Sequence, residues 1–221
     1  MRALVQPDVL RKAFAAAFIS ALVAWPRLAG FKESPNPQWF LVLVALWAAF
    51  CMWAAVFAWH ERYSGRKIFS GDRSAKFWGA ITLASIAAAF ALHFAIDPIW
   101  RHLLPRDFPT TISAWAAQTL FYLGFEQLFF YFAPLALFER LGVPPSIAIV
   151  TTVLWNLFTL WLRLDLFHAA PSTGEFILLI AARAAMTVFI ATAFLRAGVP
   201  AALWIGLLLH LRSWLAMKDA L

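Results

Sequence analysis

The stretch WFLVLVALWAAFCMWAAVFAW, Trp39 to Trp59, decides the fold class of this chain. It holds no charged residue and is closed by tryptophan at each end, where amphipathic rings favour a membrane interface. About 20 apolar residues are what a helix needs to cross a ~30 Å hydrocarbon core, and there every backbone polar group must find its partner inside the segment. This stretch therefore reads as a membrane-spanning helix. The rest of the chain repeats the pattern. Phe77 to Ile96 is interrupted only by His93, and Ser146 to Leu162, Phe176 to Leu195 and Ala201 to Met217 are similar runs. Pro109 to Phe138 is longer, with Glu126 as its one charge. At ~1.5 Å per residue it would reach ~45 Å, so it must tilt, project from the bilayer or break near Gly124 or Pro134. With Ala13 to Trp25 the spans number seven, or eight if the long stretch divides.

Composition agrees with that reading. Of 221 residues, 63% are apolar, against about 45–50% in a soluble domain. Only 13% are charged, and mean hydropathy is +0.77. A globule built this way could not cover itself with polar surface, so lipid is the expected partner of most of the chain. Disorder, a disulfide-stapled secreted domain and nucleic-acid binding are excluded on the same ground. Cys51 is the single cysteine, so neither a disulfide framework nor a cysteine metal cluster is available. Met1-Arg2 and Arg11-Lys12 before Ala13 to Trp25 resemble a signal peptide, but Trp25-Pro26-Arg27-Leu28 is a poor cleavage site, and an uncleaved first helix is expected.

The connections are short and carry proline or glycine: Ser34-Pro-Asn-Pro37, Ser64-Gly65, Gly142-Val-Pro-Pro145, Pro171-Ser-Thr-Gly174 and Gly198-Val-Pro200. None could hold a second domain, so residues 1–221 read as one all-α, polytopic transmembrane helical bundle. Arg62, Arg66, Lys67, Arg73 and Lys76 share one loop, which by the positive-inside tendency is cytoplasmic, together with the N-terminus. The expected location is a bacterial inner (plasma) membrane.

The polar residues inside the spans are the candidates for function. An isolated carboxylate in lipid is costly, which singles out Glu126, since the other ten acidic residues fall in or beside expected loops and tails. Gln127 beside it fits interhelical hydrogen bonding. His210 lies within Leu203-Trp-Ile-Gly-Leu-Leu-Leu-His210, where imidazole suits a ligand, a proton carrier or a hydrogen-bonded core residue. His93 reads as structural, and His60, His102 and His168 as interfacial side chains. Arg183, in Ile180-Ala-Ala-Arg-Ala-Ala185, is the one basic residue deep in a span, and a pair with Glu126 would compensate both.

From Ile112 to Met217 the order of these residues resembles the CPBP intramembrane proteases, the group of CAAX-processing endopeptidases, bacteriocin-processing proteins and abortive-infection proteins. That family carries two adjacent Glu followed after three residues by Arg, then Phe-x-x-x-His, then His-x-x-x-Asn, each on a helix. The first motif falls on Glu126-Gln127-Leu-Phe-Phe-Tyr131, the second on Trp155-Asn-Leu-Phe-Thr159 and the third on His210-Leu-Arg-Ser-Trp214. The resemblance implies a helical bundle with Glu126 as general base on a water and His210 orienting it. Spacings of four place both members of a motif on one helix face. Four of six polar positions differ, however: Gln127 for Glu, Tyr131 for Arg, Thr159 for His and Trp214 for Asn.

Gln127 and Tyr131 can still hydrogen-bond at that spacing without charge. Glu126 and His210 supply only two of the three protein ligands that a catalytic zinc normally takes, so neither a metal nor another cofactor is expected. An indole at Trp214 would fill the cavity that water needs. The expected function is therefore a non-catalytic, partner-binding or structural membrane subunit, engaging a membrane protein or transmembrane peptide. The alternative is an active intramembrane endopeptidase using Glu126 and His210. A transport path through Glu126, His210 and Arg183 has less to support it, because no inverted repeat is visible.

Overall fold

The computed structural model describes residues 4–30, 37–69, 74–105 and 108–218. Arg2 and Arg73, two charges used for orientation, and Ser34-Pro35-Asn36 lie outside them. Every regular element among the described residues is helical: α1 (Pro7–Leu28), α2 (Gln38–Tyr63), α3 (Ala75–Ala95), α4 (Asp97–Leu103), α5 (Ile112–Arg140), α6 (Pro145–Trp161) and α7 (Thr173–Lys218), with one 3₁₀ turn at Leu164–Leu166. All but α4 are long and apolar enough to cross a membrane. Local chemistry sets several of the starts. Pro7 and Pro145 occupy first-turn positions whose N–H would have no partner. The Ser74 hydroxyl accepts from the Phe77 N–H at 3.1 Å, and the Thr111 hydroxyl from the Ala114 N–H at 3.2 Å.

The burial pattern is that of helices meeting through small side chains. Ala13, Ala17, Ala21 and Ala24 of α1 are buried, as are Ala45 and Ala49 of α2, and the two helices pack together. Phe14, Phe18 and Leu22 of the first and Leu43 and Trp47 of the second are exposed. Lipid tails are as apolar as leucine, so no hydrophobic force drives the large side chains inward, and close backbone approach favours alanine at the contact. Trp53 adds a polar link, its Nε1 donating to Ser20 Oγ at 3.0 Å.

Of the three outcomes open to the long stretch, a break is not the one seen. The helix from Ile112 to Arg140 continues through Gly124 and Pro134, which removes the division an eighth span depended on. It contains two π-helical turns instead, Tyr122–Glu126 and Leu128–Phe132, on either side of Gln127. Inserted π turns redirect the side chains that follow them. Two carbonyls of the second turn accept from α6: Asn156 Nδ2 donates to Phe130 O at 2.8 Å, and Trp155 Nε1 to Phe129 O at 3.3 Å.

The chain reverses within α7 at Gly198, where φ is 72° and ψ is −164°. Only glycine adopts that backbone without strain. A Cβ there would also strike the Ile68 carbonyl oxygen, and the adjacent Val199 N–H donates to that same oxygen at 2.9 Å. The bundle consequently has two polar ends. One gathers the start of α1, the end of α2, the end of α5 and the Gly198 turn, joined by Lys12–Glu61 at 3.0 Å and Arg62–Asp8 at 3.1 Å. The other gathers α4, the first half of α5, the exit of α6 and the outer parts of both α7 limbs.

Candidate functional site

At the second end lies a cavity of about 230 Å³, and its polar lining comes from five segments. Asp97 is contributed by α4; Gln118, Tyr122, Glu126 and Tyr131 by α5; Arg163 by the turn after α6; Arg183 by the first limb of α7; His210, Arg212 and Ser213 by the second. Leu92, Trp100, Leu179, Met186 and Ile190 are among the apolar side chains of the wall. The reversal at Gly198 is what brings Arg183 and His210 to one site although 27 positions separate them.

Glu126 and His210, the two positions shared with the protease motifs, therefore face the same cavity. The Glu126 carboxylate stands 3.6 Å from the Arg163 guanidinium, with a quarter of its side chain exposed. Arg163 is thus the counterion seen for Glu126, in the place expected for Arg183. The Arg183 guanidinium lies over the Phe130 ring at 4.8 Å and reaches the Thr159 hydroxyl at 3.4 Å. The Thr159 hydroxyl itself donates a hydrogen bond to the Asn156 carbonyl at 2.8 Å. The His210 ring packs against Tyr122, centroids 4.2 Å apart, and the His210 carbonyl accepts from Trp115 Nε1 at 2.9 Å.

Gln127 and Tyr131 do not form the neutral pair expected of them. Gln127 is fully buried and donates to the Ala202 carbonyl at 3.2 Å, against Gly206, where a Cβ would collide with its amide nitrogen. Tyr131 turns to the cavity, where Tyr122 and Thr187 adjoin it. Both side chains lie in the irregular stretch, Gln127 between the two π turns and Tyr131 within the second. Trp214 is also displaced from its expected role. It packs edge-to-face on Trp115 at 5.2 Å and is absent from the cavity lining, so the indole does not fill the space.

Several site residues carried no signal beyond their charge. Asp97 is 2% exposed, accepts from Arg212 Nε at 3.0 Å and lies 3.4 Å from the His93 ring nitrogen. His93 and Asp97 are four apart, a spacing legible in the sequence, but Asp97 was expected to lie at a loop and the short helix α4 was not foreseen. Arg163 and Arg212 likewise read as boundary charges. The other end holds a second surprise. His60, expected at the interface, is 1% exposed, with Nδ1 2.6 Å from the Glu139 carboxylate and its ring stacked on Phe194 at 4.5 Å. Arg66 approaches the other Glu139 oxygen at 3.1 Å. Asp97 and Glu139, rather than Glu126, are the most deeply buried acids described. Among the described residues, no three His, Cys, Asp or Glu side chains gather within metal-ligating reach.

The cavity supplies a cationic wall, two carboxylates already bridged to arginine, and two phenols, all beside apolar surface. Such an arrangement can hold an anionic or hydrogen-bonding group while shielding the remainder of a ligand. Comparison with protein-family models, with curated proteins and with solved structures gives no match to this chain.

Proposed function

We propose that this chain is an integral membrane protein of seven spans, its N-terminus cytoplasmic in a bacterial inner membrane, that binds a membrane protein or transmembrane peptide without cleaving it. The CPBP resemblance is part of this reading: the bundle is of that protease type, with its catalytic positions converted to other uses. One observation carries the proposal. Three of the four motif side chains that depart from the protease pattern are engaged by other groups, Gln127 with Ala202, Thr159 with Arg183 and Trp214 with Trp115, while the fourth, Tyr131, faces the cavity. The retained Glu126 faces Arg163 at 3.6 Å, so its carboxylate already has a cationic neighbour.

A second reading is favoured by one feature of the cavity. Glu126 and His210 line the same space and Trp214 leaves it open, as an endopeptidase with Glu126 as general base and His210 orienting water would require. A single experiment separates the two. Purified wild-type protein and Glu126→Gln, in lipid nanodiscs, are incubated with a library of membrane-anchored peptides, and cleavage is scored by mass spectrometry. No cleavage by either protein is expected. Cleavage by the wild type that disappears in a folded Glu126→Gln protein would replace the binding reading with the protease one.

A further inference from the structure

We infer that the cavity takes a lipid-borne phosphate, with Arg183 as its principal contact. Charge bookkeeping within the cavity points there. Three guanidiniums face two carboxylates, and each carboxylate is already met by one arginine: Glu126 by Arg163 and Asp97 by Arg212. The third, Arg183, has no carboxylate within ion-pair distance among the described residues, and its Nε is shielded from solvent without a hydrogen-bond partner. Arg183 is partly buried, and neither the Thr159 hydroxyl nor the Phe130 face brings the opposite charge that a guanidinium drawn out of water lacks. An anion is the missing element.

The surroundings say what carries it. Leu179, Met186 and Ile190 share the first limb of α7 with Arg183 and line the same wall, so the ligand that fits is amphiphilic. Guanidinium forks match phosphate oxygens in a bidentate way, and the Tyr122 and Tyr131 hydroxyls can complete the donor set. Arg163, just past α6, and Arg212, near the end of α7, lie toward the boundary at which a phospholipid carries its phosphate. Arg183 stands further in. A phosphate on an apolar chain meets the cation while its chain remains against apolar wall and bilayer.

This inference rests on the cavity being a binding site, but it is scored on retained lipid rather than on cleavage, so either reading can fail alone. The full chain in detergent is titrated separately with dioleoyl phosphatidylglycerol, dioleoylglycerol, which lacks the phosphate, and inorganic phosphate, following thermal midpoint and native mass. A one-to-one phosphatidylglycerol adduct is expected, preferred over dioleoylglycerol by roughly tenfold, the ratio that one extra charge contact of about 1.4 kcal/mol gives. Arg183→Gln should lose the preference and Arg183→Lys keep part of it. Met186→Glu, one turn further along the same face, should supply the anion from within and abolish the adduct while the protein stays folded. Equal retention of the two lipids by the wild type overturns the inference even if Arg183→Gln fails to fold. An unchanged adduct in Met186→Glu overturns it too, and a full thermal shift with inorganic phosphate alone overturns the lipid source.

Discussion

The two polar ends of the bundle use the same chemical groups to opposite effect. At the closed end, His60, Glu139 and Arg66 meet with the imidazole and carboxylate almost fully buried, and Phe194 covers the imidazole. The Glu139 carboxylate has the His60 ring at one oxygen and the Arg66 guanidinium at the other. At the open end, Glu126 and Arg163 meet more loosely, at 3.6 Å and with 26% and 39% of their side chains exposed, around a cavity that also holds Arg183. Ionisable groups inside a membrane protein are a default sign of function, yet here one cluster acts as a packed joint and the other as a site. Compensation distinguishes them: Glu139 lies between two basic groups and ties helices together, whereas Arg183 has no carboxylate within ion-pair distance among the described residues.

The closed end should therefore be the fragile one. Gly198→Ala gives the largest effect, because the residue would have to hold φ near 72° and its Cβ would strike the Ile68 carbonyl. Strain alone is about 1–3 kcal/mol, and the backbone collision takes the total into the range above about 4 kcal/mol. Loss of monodisperse protein on size-exclusion chromatography is expected; normal yield would show that the two α7 limbs are not held by this turn. Glu139→Ala follows, at about 3–5 kcal/mol, since it leaves the Arg66 charge and the His60 imidazole without their acceptor. A thermal midpoint within a degree or two of wild type would place that cluster with the open one. Asn156→Ala, which frees the Phe130 carbonyl next to the cavity, should cost about 0.6–1.7 kcal/mol, the range measured for interhelical hydrogen bonds in lipid. Chemical unfolding in mixed micelles measures it, and a cost as large as that of Glu139→Ala would make the π turn rather than the ion cluster the main joint.

Hydropathy made the helical, membrane-crossing character legible, because a 21-residue uncharged run such as Trp39 to Trp59 has few other interpretations. The convergence of Glu126 and His210 followed from motif order. What escaped was geometry that depends on helix irregularity. Gln127 and Tyr131 lie in a stretch of π turns that no local composition announces, and the partner of Gln127 comes from another helix. Arg163, Arg212 and Asp97 looked like boundary charges, and only the short helix α4 and the reversal at Gly198 turn them onto the cavity. His60 was misplaced for a similar reason. It closes an apolar run, as an interfacial residue would, but Glu139 arrives from another helix to bury it.

The sharpest probe of the comparison is one substitution made at both ends. Glu→Gln removes a charge with almost no change in volume, so packing is nearly constant and the difference between sites reports compensation. At Glu139 it replaces an acceptor pressed between His60 and Arg66 with an amide that can accept through only one of its two polar atoms. A clear fall in thermal midpoint is expected. At Glu126 the pair is long and partly exposed, of the kind whose contribution is about 0–1 kcal/mol, and Arg163 can turn to solvent when its partner is gone. The expected shift is small, and phosphatidylglycerol retention should hold or rise, since a negative charge has left the cavity. If Glu126→Gln proves as destabilising as Glu139→Gln, the open end is a joint like the other, and the binding role assigned to its cavity loses its basis.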